Sequence, residues 1–371
     1  MEKLMHLKTL ALVNFKNYTD ASIELSADIN VFIGENGAGK TNILDAVHFL
    51  SHCRSFLNPI DKQCIRLNEK FFLLQGTYSK DDKDIGITCS IKEGHKKTVK
   101  RNKKEYEKLA DHIGRFPAVV ISPYDTNLII EGSETRRKFV DSIISQFDRN
   151  YLETLIRYNK VLQQRNALLK QFQELRIFDA ESIEVWNIQL VSLGEIIHEK
   201  RKAFIVEFIP VFQKFFNVIA NHKESIDISY KSQLETESFA EALERSARKD
   251  NAVGYTTVGI HKDDLVFLIH DQPIKKFGSQ GQQKSFLIAL KLAQFEIVSN
   301  LLETKPILLL DDVFDKLDHE RVSHLMQLIS QHIFGQVFIS DTDRDRIEKV
   351  FKDIDIDRRL FNVKGGQVEK G

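Results

Sequence analysis

The stretch GENGAGKT occupies residues 34–41 and follows the apolar run INVFI at residues 29–33. Its spacing matches a GxxxxGKT phosphate-binding loop, in which glycines adopt positive φ angles and turn successive backbone N–H groups toward an anion. Residues 43, 47 and 50 are apolar at helical spacing, so the sequence predicts a strand, the loop and then a helix. An incidental glycine turn is the alternative, but the motif and its context both favour a P-loop.

The chemistry of this loop assigns roles to its side chains. We expect the Lys40 ammonium to reach the β- and γ-phosphates of ATP and the Thr41 hydroxyl to ligate Mg²⁺, with the dipole of the following helix attracting the phosphates. Lys40 is therefore a predicted catalytic residue. The predicted nucleotide-binding residues of this segment are Gly34, Asn36, Gly37, Gly39, Lys40, Thr41 and Asn42.

A second motif, ILLLDD at residues 307–312, predicts a buried parallel strand that ends in carboxylates. Ligands of α/β sheets lie at the carboxyl ends of such strands. We expect Asp311 to hold Mg²⁺ through water and Asp312 to orient or deprotonate the attacking water, which makes both residues catalytic candidates. An Asp-rich helix start could explain Asp312 alone, but not the four apolar residues before the acidic pair.

A third segment, FGSQGQQKS at residues 277–285, precedes an apolar run predicted to be helical over residues 286–298. Ser279 and Gly281 before a helix N-terminus make a second anion-binding end. One nucleotide hardly needs two helix ends from the same subunit, so we expect this end to serve the nucleotide of a neighbouring subunit. A plain capping turn is the alternative.

The order of predicted elements indicates an α/β nucleotide domain that is split in sequence and carries a helical lobe. We expect residues 1–124 and 254–371 to form the two parts of this domain. Residues 125–253 are the expected lobe, because amphipathic helical spacing dominates from about residue 133 to 220. Pro210 is expected to interrupt or bend the last of these helices.

Composition restricts the possible partners. Lys and Arg number 53 and so do Asp and Glu, so no global field attracts nucleic acid or an anionic membrane, and any DNA site must be a local patch. The densest basic stretch supplies the candidate DNA contacts Lys96, Lys97, Lys100, Arg101, Lys103 and Lys104. A solvated hairpin edge that is kept basic to prevent sheet pairing is an equally weighted alternative.

The remaining composition predicts a soluble cytoplasmic protein. The three cysteines lack the paired spacing of structural zinc sites, so we expect them to be reduced core residues. No run of 18 consecutive apolar residues occurs, and the N-terminus has too short an apolar stretch for a signal peptide. No membrane association is expected.

Taken together, GENGAGKTN, SQGQQKS and LLLDDVFDKLD resemble the Walker A, signature, Walker B and D-loop motifs of ABC-type ATPase heads, in the order used by SMC-like proteins. The chain more closely resembles the RecF family of bacterial recombination mediators. That resemblance also rests on LALVNFKNY, SPYD, ETRRKFVD, QQRN and GIHKDDL, which are spread over essentially the whole chain.

The resemblance implies a P-loop ABC-type head that dimerises around two ATP molecules. Ser279, Gly281 and Gln282 would contact the nucleotide bound at the partner's Lys40, and Asp318 of the D-loop would cross the interface. Weak DNA-dependent ATP hydrolysis would release the dimer. The implied function is an ATP-dependent homodimeric clamp on duplex and gapped DNA, associated with the nucleoid, which works with RecO and RecR to load RecA onto single-stranded gaps.

Two other classes share the motifs. An ABC transporter subunit is opposed by the long separation between Lys40 and Ser279 and by the sequence SDT at residues 340–342, where a switch histidine would follow the last strand. A structural SMC protein needs a very long heptad array between the motifs, whereas the helical insert here has only about 120 residues and contains Pro210. The second Walker B carboxylate is Asp312 rather than Glu, which is consistent with slow hydrolysis.

Overall fold

The computed structural model describes residues 5–220, 224–314, 319–330, 333–352 and 356–371. Its internal contacts divide the chain into two compact units. The first unit comprises Met1–Thr126, Lys214–Lys223 and Gln280–Gly371, and the second comprises Asn127–Gln213 and Glu224–Ser279. The expected arrangement of a nucleotide domain split in sequence around an inserted lobe is therefore confirmed.

The described strands are β1 (Met5–Phe15), β2 (Tyr18–Glu24), β3 (Ile29–Ile33), β4 (Phe71–Lys80), β5 (Lys83–Lys92), β6 (Thr98–Arg101), β7 (Lys104–Glu105), β8 (Ala118–Ile121), β9 (Ile226–Lys231), β10 (Asp264–Ile269), β11 (Gln272–Pro273), β12 (Ile307–Asp311), β13 (Val337–Asp341), β14 (Arg358–Lys364) and β15 (Gln367–Lys370). The described α-helices are α1 (Lys40–His52), α2 (Asn127–Ile130), α3 (Ser133–Phe147), α4 (Arg149–Leu175), α5 (Ala180–Ala220), α6 (Phe239–Val253), α7 (Ile274–Phe277), α8 (Gln280–Leu302), α9 (His319–Ser330) and α10 (Arg344–Val350).

A mainly parallel sheet carries the predicted nucleotide motifs. Within the described residues its strand order is β15-β14-β3-β13-β12-β8, and every neighbouring pair is parallel except β14 with β15. β3, β12 and β13 are buried along their whole length, as expected of strands covered on both faces. Their carboxyl ends therefore meet at one edge of the sheet.

An antiparallel sheet forms the second layer of the first unit, with the described order β2-β1-β4-β5-β6-β7. The helix α1 shares one buried apolar cluster with residues of both sheets, and apolar side chains such as Ile43, Val47 and Leu50 belong to it. A helix that is buried on most sides lies inside a core rather than at a surface. This position holds the N-terminus of α1 at the edge of the parallel sheet.

The second unit is mainly helical but also contains a three-stranded sheet with the order β11-β10-β9. This sheet corrects the predicted lobe boundary after residue 253. β10 pairs antiparallel with β9, so the segment up to Ser279 folds with the lobe rather than with the nucleotide domain. At the other boundary the unit begins at Asn127, two residues after the expected start.

Pro210 does not interrupt the helix that contains it, because α5 continues to Ala220. Buried phenylalanines on both sides of the proline hold the helix in place. The ring centroid of Phe208 lies 6.3 Å from that of Phe139 on α3, and the ring centroid of Phe216 lies 6.4 Å from that of Phe286 on α8. Tertiary packing therefore compensates for the backbone hydrogen bond that proline cannot make.

The three cysteines, Cys53, Cys64 and Cys89, are free and buried, as expected of reduced core residues. By length and composition alone, two described helices could cross a membrane. In one of them, α8, 78% of the most apolar 18-residue stretch is buried inside the protein, which is typical of a core helix. In the other, α5, only 39% of the corresponding stretch is buried, so part of its apolar surface faces outward.

The lobe contains an ion pair that is almost completely removed from solvent. Arg165 on α4 is 1% exposed and donates from Nη1 to Asp250 Oδ2 at 2.8 Å. Its other hydrogen bonds go to Asn187 Oδ1 at 2.8 Å and Thr256 Oγ1 at 2.7 Å. Removing one member of a buried pair leaves an uncompensated charge, which is far more costly than losing an exposed pair.

We expect Arg165→Met to destabilise the lobe by about 3–5 kcal/mol, because Asp250 would remain buried without its cation. Urea unfolding followed by the fluorescence of Trp186, the single tryptophan, measures the effect next to Asn187. Lys138→Met, which removes an exposed pair with Glu134, is the control and is expected to cost about 0–1 kcal/mol. Equal costs for the two variants would contradict a stabilising role of the buried pair.

Candidate nucleotide site

The glycine loop lies between β3 and α1, as predicted. Gly37 and Gly39 have φ angles of 80° and 118°, in the region that favours glycine. A Cβ atom on Gly39 would lie 2.5 Å from Asn17 Nδ2 and 2.8 Å from the Tyr18 hydroxyl, so a side chain there would displace Asn17 as well as strain the backbone. The loop thus adopts a backbone that turns its N–H groups inward at the helix N-terminus.

Asn17 and Tyr18, in the turn from β1 to β2, hold the loop from one side. Asn17 Nδ2 donates to Ala38 O at 3.0 Å, and Asn42 Nδ2 donates to Asn17 Oδ1 at 2.7 Å. The buried Tyr18 hydroxyl donates to Gly39 O at 3.1 Å. Both residues belong to the segment LALVNFKNY, but the sequence alone does not predict their role. Nothing in the sequence links this turn to the glycine loop, which follows about 20 residues later.

The Lys40 side chain lies within the loop that it follows. Its Nζ atom donates to Gly34 O at 2.7 Å and to Glu35 O at 2.9 Å. Burial lowers the pKa of Lys40, and the nearby carboxylates Asp312 and Asp311 oppose that shift. The ammonium is therefore held at the loop, beside the acidic strand ends.

The predicted Mg²⁺ ligands are brought together at the strand ends. Thr41 Oγ1 donates to Asp311 Oδ1 at 2.8 Å, and Ser340 Oγ donates to the same oxygen at 2.7 Å. Asp311 is 2% exposed, and burial raises the pKa of its carboxyl, while the hydrogen bonds from Ser340 and Thr41 oppose the shift. Hydroxyl and carboxylate oxygens of this kind suit Mg²⁺ bound together with nucleotide phosphates.

Asp312 follows β12 with a φ of 53°, which is uncommon for a residue other than glycine. Its backbone N–H donates to Ser340 Oγ at 3.1 Å. Its Oδ1 atom is buried and has no hydrogen-bond partner among the residues that the structure describes. A buried acceptor without a donor suits a water molecule or another ligand, which is consistent with the role predicted for Asp312.

Ser340 and Asp341 are the site residues that motif reasoning left without a role. β13, which they terminate, pairs with both β3 and β12, so Ser340 lies opposite Asp311 and Asp341 opposite Ile33. Asp341 is fully buried and accepts from Arg346 Nη2 at 2.7 Å. In the sequence the two residues follow an apolar run that predicts a buried strand. Only the strand order of the sheet shows that this strand lies between β3 and β12.

The helix that contains the end of the signature segment begins earlier than predicted. α8 starts at Gln280, so Gly281 and Gln282 lie in its first turn and the exposed Ser279 directly precedes it. A Cβ atom on Gly281 would lie 3.3 Å from Arg321 Nη1. Asp318, predicted to cross a dimer interface, lies outside the described ranges.

Part of the basic stretch forms the hairpin of β6 and β7, at one edge of the antiparallel sheet as the structure describes it. Lys97 is engaged within the protein, since its Nζ atom lies 2.6 Å from Asp61 Oδ2 and 2.5 Å from Cys53 O, and its side chain is 18% exposed. These contacts argue against Lys97 as a DNA contact. Lys96, Lys103 and Lys104 are exposed, and Lys100 and Arg101 are half-buried.

Comparisons with known proteins agree with this geometry. A family model described as the RecF/RecN/SMC N terminal domain matches residues 6–359. A protein named DNA replication and repair protein RecF from Flavobacterium johnsoniae is 49% identical over 97% of this chain and 100% of its own length. A protein of the same name from Phocaeicola vulgatus is 48% identical over 98% of each chain.

Solved structures are similar over almost the whole chain. One described as the recombination mediator protein RecF-ATP in the RecFOR pathway has a TM-score of 0.89 and 29% identity, and covers 99% of this chain and 98% of its own. An Smc head domain from Pyrococcus furiosus has a TM-score of 0.57 and 16% identity, with 99% and 96% coverage. The second likeness concerns the fold alone.

We expect Asn17→Ala to weaken ATP binding roughly 5- to 30-fold, because the loop would lose two positioning hydrogen bonds of about 1 kcal/mol each. Titration with a fluorescent ATP analogue measures the affinity, and Lys40→Ala, expected to abolish binding, sets the lower limit. Asn150→Ala, at an exposed position in α4, is the matched control. Wild-type affinity in Asn17→Ala would contradict a positioning role.

Proposed function

The chain belongs to the RecF/RecN/SMC family and, within it, to the RecF proteins of DNA replication and repair, and on this premise we propose that it is an ATP-dependent DNA-binding protein of recombinational repair. The proposed cycle has three steps. ATP and Mg²⁺ bind each subunit, two subunits close around the nucleotides on DNA, and slow hydrolysis releases them.

The observation that carries the proposal is the contact of Thr41 Oγ1 with Asp311 Oδ1 at 2.8 Å, beside the ammonium of Lys40. In the proposed complex Thr41 and Asp311 hold Mg²⁺, and Lys40 leaves the loop carbonyls to bind the β- and γ-phosphates. The remaining proposed nucleotide contacts are Gly34, Asn36, Gly37, Gly39 and Asn42.

Dimerisation follows in this proposal from the second anion-binding end. Ser279, Gly281 and Gln282 at the start of α8 would bind the γ-phosphate held by the partner's Lys40. Arg321 supports that role, because its guanidinium lies beside Gly281 and donates from Nε to Ser285 Oγ at 2.6 Å. Asp318 is the proposed D-loop contact across the interface.

Hydrolysis is assigned to Asp312 as the residue that orients or deprotonates water. Its side chain is one methylene shorter than the Glu found at this position in transporter heads, and a less well-placed base gives slower turnover. Slow turnover suits a clamp, because the lifetime of the ATP state sets the time spent on DNA. Weak, DNA-dependent ATPase activity is the proposed behaviour.

The proposed substrate is duplex or gapped DNA, and the proposed partners are RecR and RecO, which together promote loading of RecA in the cytoplasm. A similar solved structure is described as a recombination mediator of the RecFOR pathway, which supports this assignment. A structural SMC role is less favoured, because the longest described helix, α5, has 41 residues and spans only about 60 Å. A transporter subunit lacks support among the similar proteins reported above.

We expect Ser279→Arg to bind ATP normally but to stay monomeric. The arginine side chain is much larger than that of serine and would block the N-terminal end of α8, which would otherwise receive the phosphate bound by the partner. Asp312→Asn should bind ATP, hydrolyse it poorly and accumulate as a dimer. Light scattering with and without ATP measures the oligomeric state of both variants, and phosphate release measures hydrolysis by Asp312→Asn. The matched control is Gln189→Arg, at an exposed position on α5, and normal dimerisation by Ser279→Arg would refute the interfacial assignment.

We expect Lys103→Glu/Lys104→Glu to weaken duplex DNA binding and to reduce the slope of log K against log[salt] by about 2, since each lost phosphate contact contributes about 0.9. Fluorescence anisotropy at several salt concentrations measures the slope. Lys202→Glu/Lys249→Glu, at exposed positions on α5 and α6, controls for the change in net charge. An equal slope in all three proteins would show that the hairpin is a solvated edge.

A further inference from the structure

An apolar groove of about 920 Å³ lies in the lobe, between the first half of α5 and the helix α6. Its lining on α5 runs from Ala180 to Ile196, which corresponds to about 24 Å of helix. This length matches roughly four turns of a second helix. The groove contains none of the residues proposed above for ATP, Mg²⁺ or DNA.

Large apolar side chains in this groove remain open to solvent. Ile188 is 63% exposed, Phe178 is 47% exposed and Ile196 is 45% exposed. Ile188 and Ile196 are two turns apart on the same helix, so they lie on one face. Ile183 and Leu243 also line the groove and are buried.

The rim of the groove is acidic. Four of its lining residues are exposed glutamates, namely Glu184, Glu195, Glu241 and Glu244. Among the described residues of the lining the one cation is Arg165, and its charge is already compensated by Asp250 at 2.8 Å. The side chains that line the groove therefore carry a net negative charge, although the chain as a whole is neutral.

This combination distinguishes between possible occupants. An anionic bilayer would be repelled by the four glutamates, since basic surfaces are the ones attracted to such membranes. A second copy of the lobe in a two-fold contact would bring like charges together. A helix with an apolar stripe and flanking Lys or Arg satisfies both features, because it buries the isoleucines and neutralises the rim.

We infer that the groove between α5 and α6 is a docking site for a basic amphipathic helix of a partner protein. Ile188, Ile196 and Phe178 receive the apolar stripe, and the glutamates of the rim select flanking Lys and Arg. The site is separate from the ATP cycle, so docking does not require nucleotide.

The test uses the full chain and a fluorescein-labelled helical peptide of about 18 residues, with Leu at i, i+3, i+4 and i+7 and Lys on both flanks. A second peptide carries Glu in place of each Lys. We expect saturable binding of the Lys peptide in fluorescence anisotropy without ATP, at least tenfold weaker binding of the Glu peptide, and decreasing affinity with salt.

Two groove variants and one control locate the binding. Ile188→Gln/Ile196→Gln is expected to raise the Kd at least tenfold, and Glu184→Gln/Glu244→Gln to raise it and to flatten its salt dependence. Val206→Gln, at a 67% exposed position on α5 outside the groove, should bind as the wild type does. All of these positions are exposed, and an unchanged urea-unfolding midpoint, followed by the fluorescence of Trp186 on α5, shows that the lobe of each variant folds.

Several outcomes would overturn the inference. These are no binding of the Lys peptide, equal binding of the Lys and Glu peptides, or equal affinity in the isoleucine variant and the wild type. Nucleotide-independent dimers that disappear in the isoleucine variant would assign the groove to a second copy of this chain. Flotation with anionic vesicles that depends on the isoleucines would assign it to a lipid surface.

Discussion

The contact between the Thr41 hydroxyl and the Asp311 carboxylate links parts of the chain that are 270 positions apart. It exists because β13 pairs in parallel with both β3 and β12 and aligns their carboxyl ends. A shift of register by one residue would turn Asp311 to the other face of the sheet. The candidate nucleotide site therefore depends on the register of three buried strands.

The same arrangement concentrates charge in a place that disfavours it. Asp311 and Asp341 are almost completely buried, Asp312 has an oxygen atom without a partner among the described residues, and Lys40 is bound to carbonyls of its own loop. Burial of a charge costs free energy unless a partner compensates it. A magnesium nucleotide would supply both the cation for the carboxylates and the anion for the lysine, so binding would relieve an unfavourable local balance. This provides a physical reason for a protein of this kind to respond to ATP.

The lobe is stabilised by a different principle. Two of its buried arginines are paired with carboxylates inside the unit, Arg165 with Asp250 and Arg201 with Asp141 and Asp263. Its apolar surface, in contrast, is not fully covered, since Ile188 and Ile196 face solvent on α5. Satisfied buried charges favour a single arrangement of the helices, and exposed apolar groups favour association. The lobe is thus held together by buried ion pairs and leaves an apolar face of α5 exposed, while the nucleotide domain carries the charged site.

The sequence by itself determined the fold class and predicted the motif residues, because both depend on local patterns. One pattern is a glycine loop between a strand and a helix, and the other is a carboxylate that follows four apolar residues. It also predicted that Cys53, Cys64 and Cys89 are core residues. It could not assign Asn17 or Ser340, because their roles come from partners more than 20 positions away. The lobe boundary was misplaced for the same reason, since the pairing of β10 with β9 is a long-range contact. Tertiary structure alone decided which loops meet at the phosphate site and which apolar face of α5 remains open, because both depend on strand register and helix packing rather than on local preference.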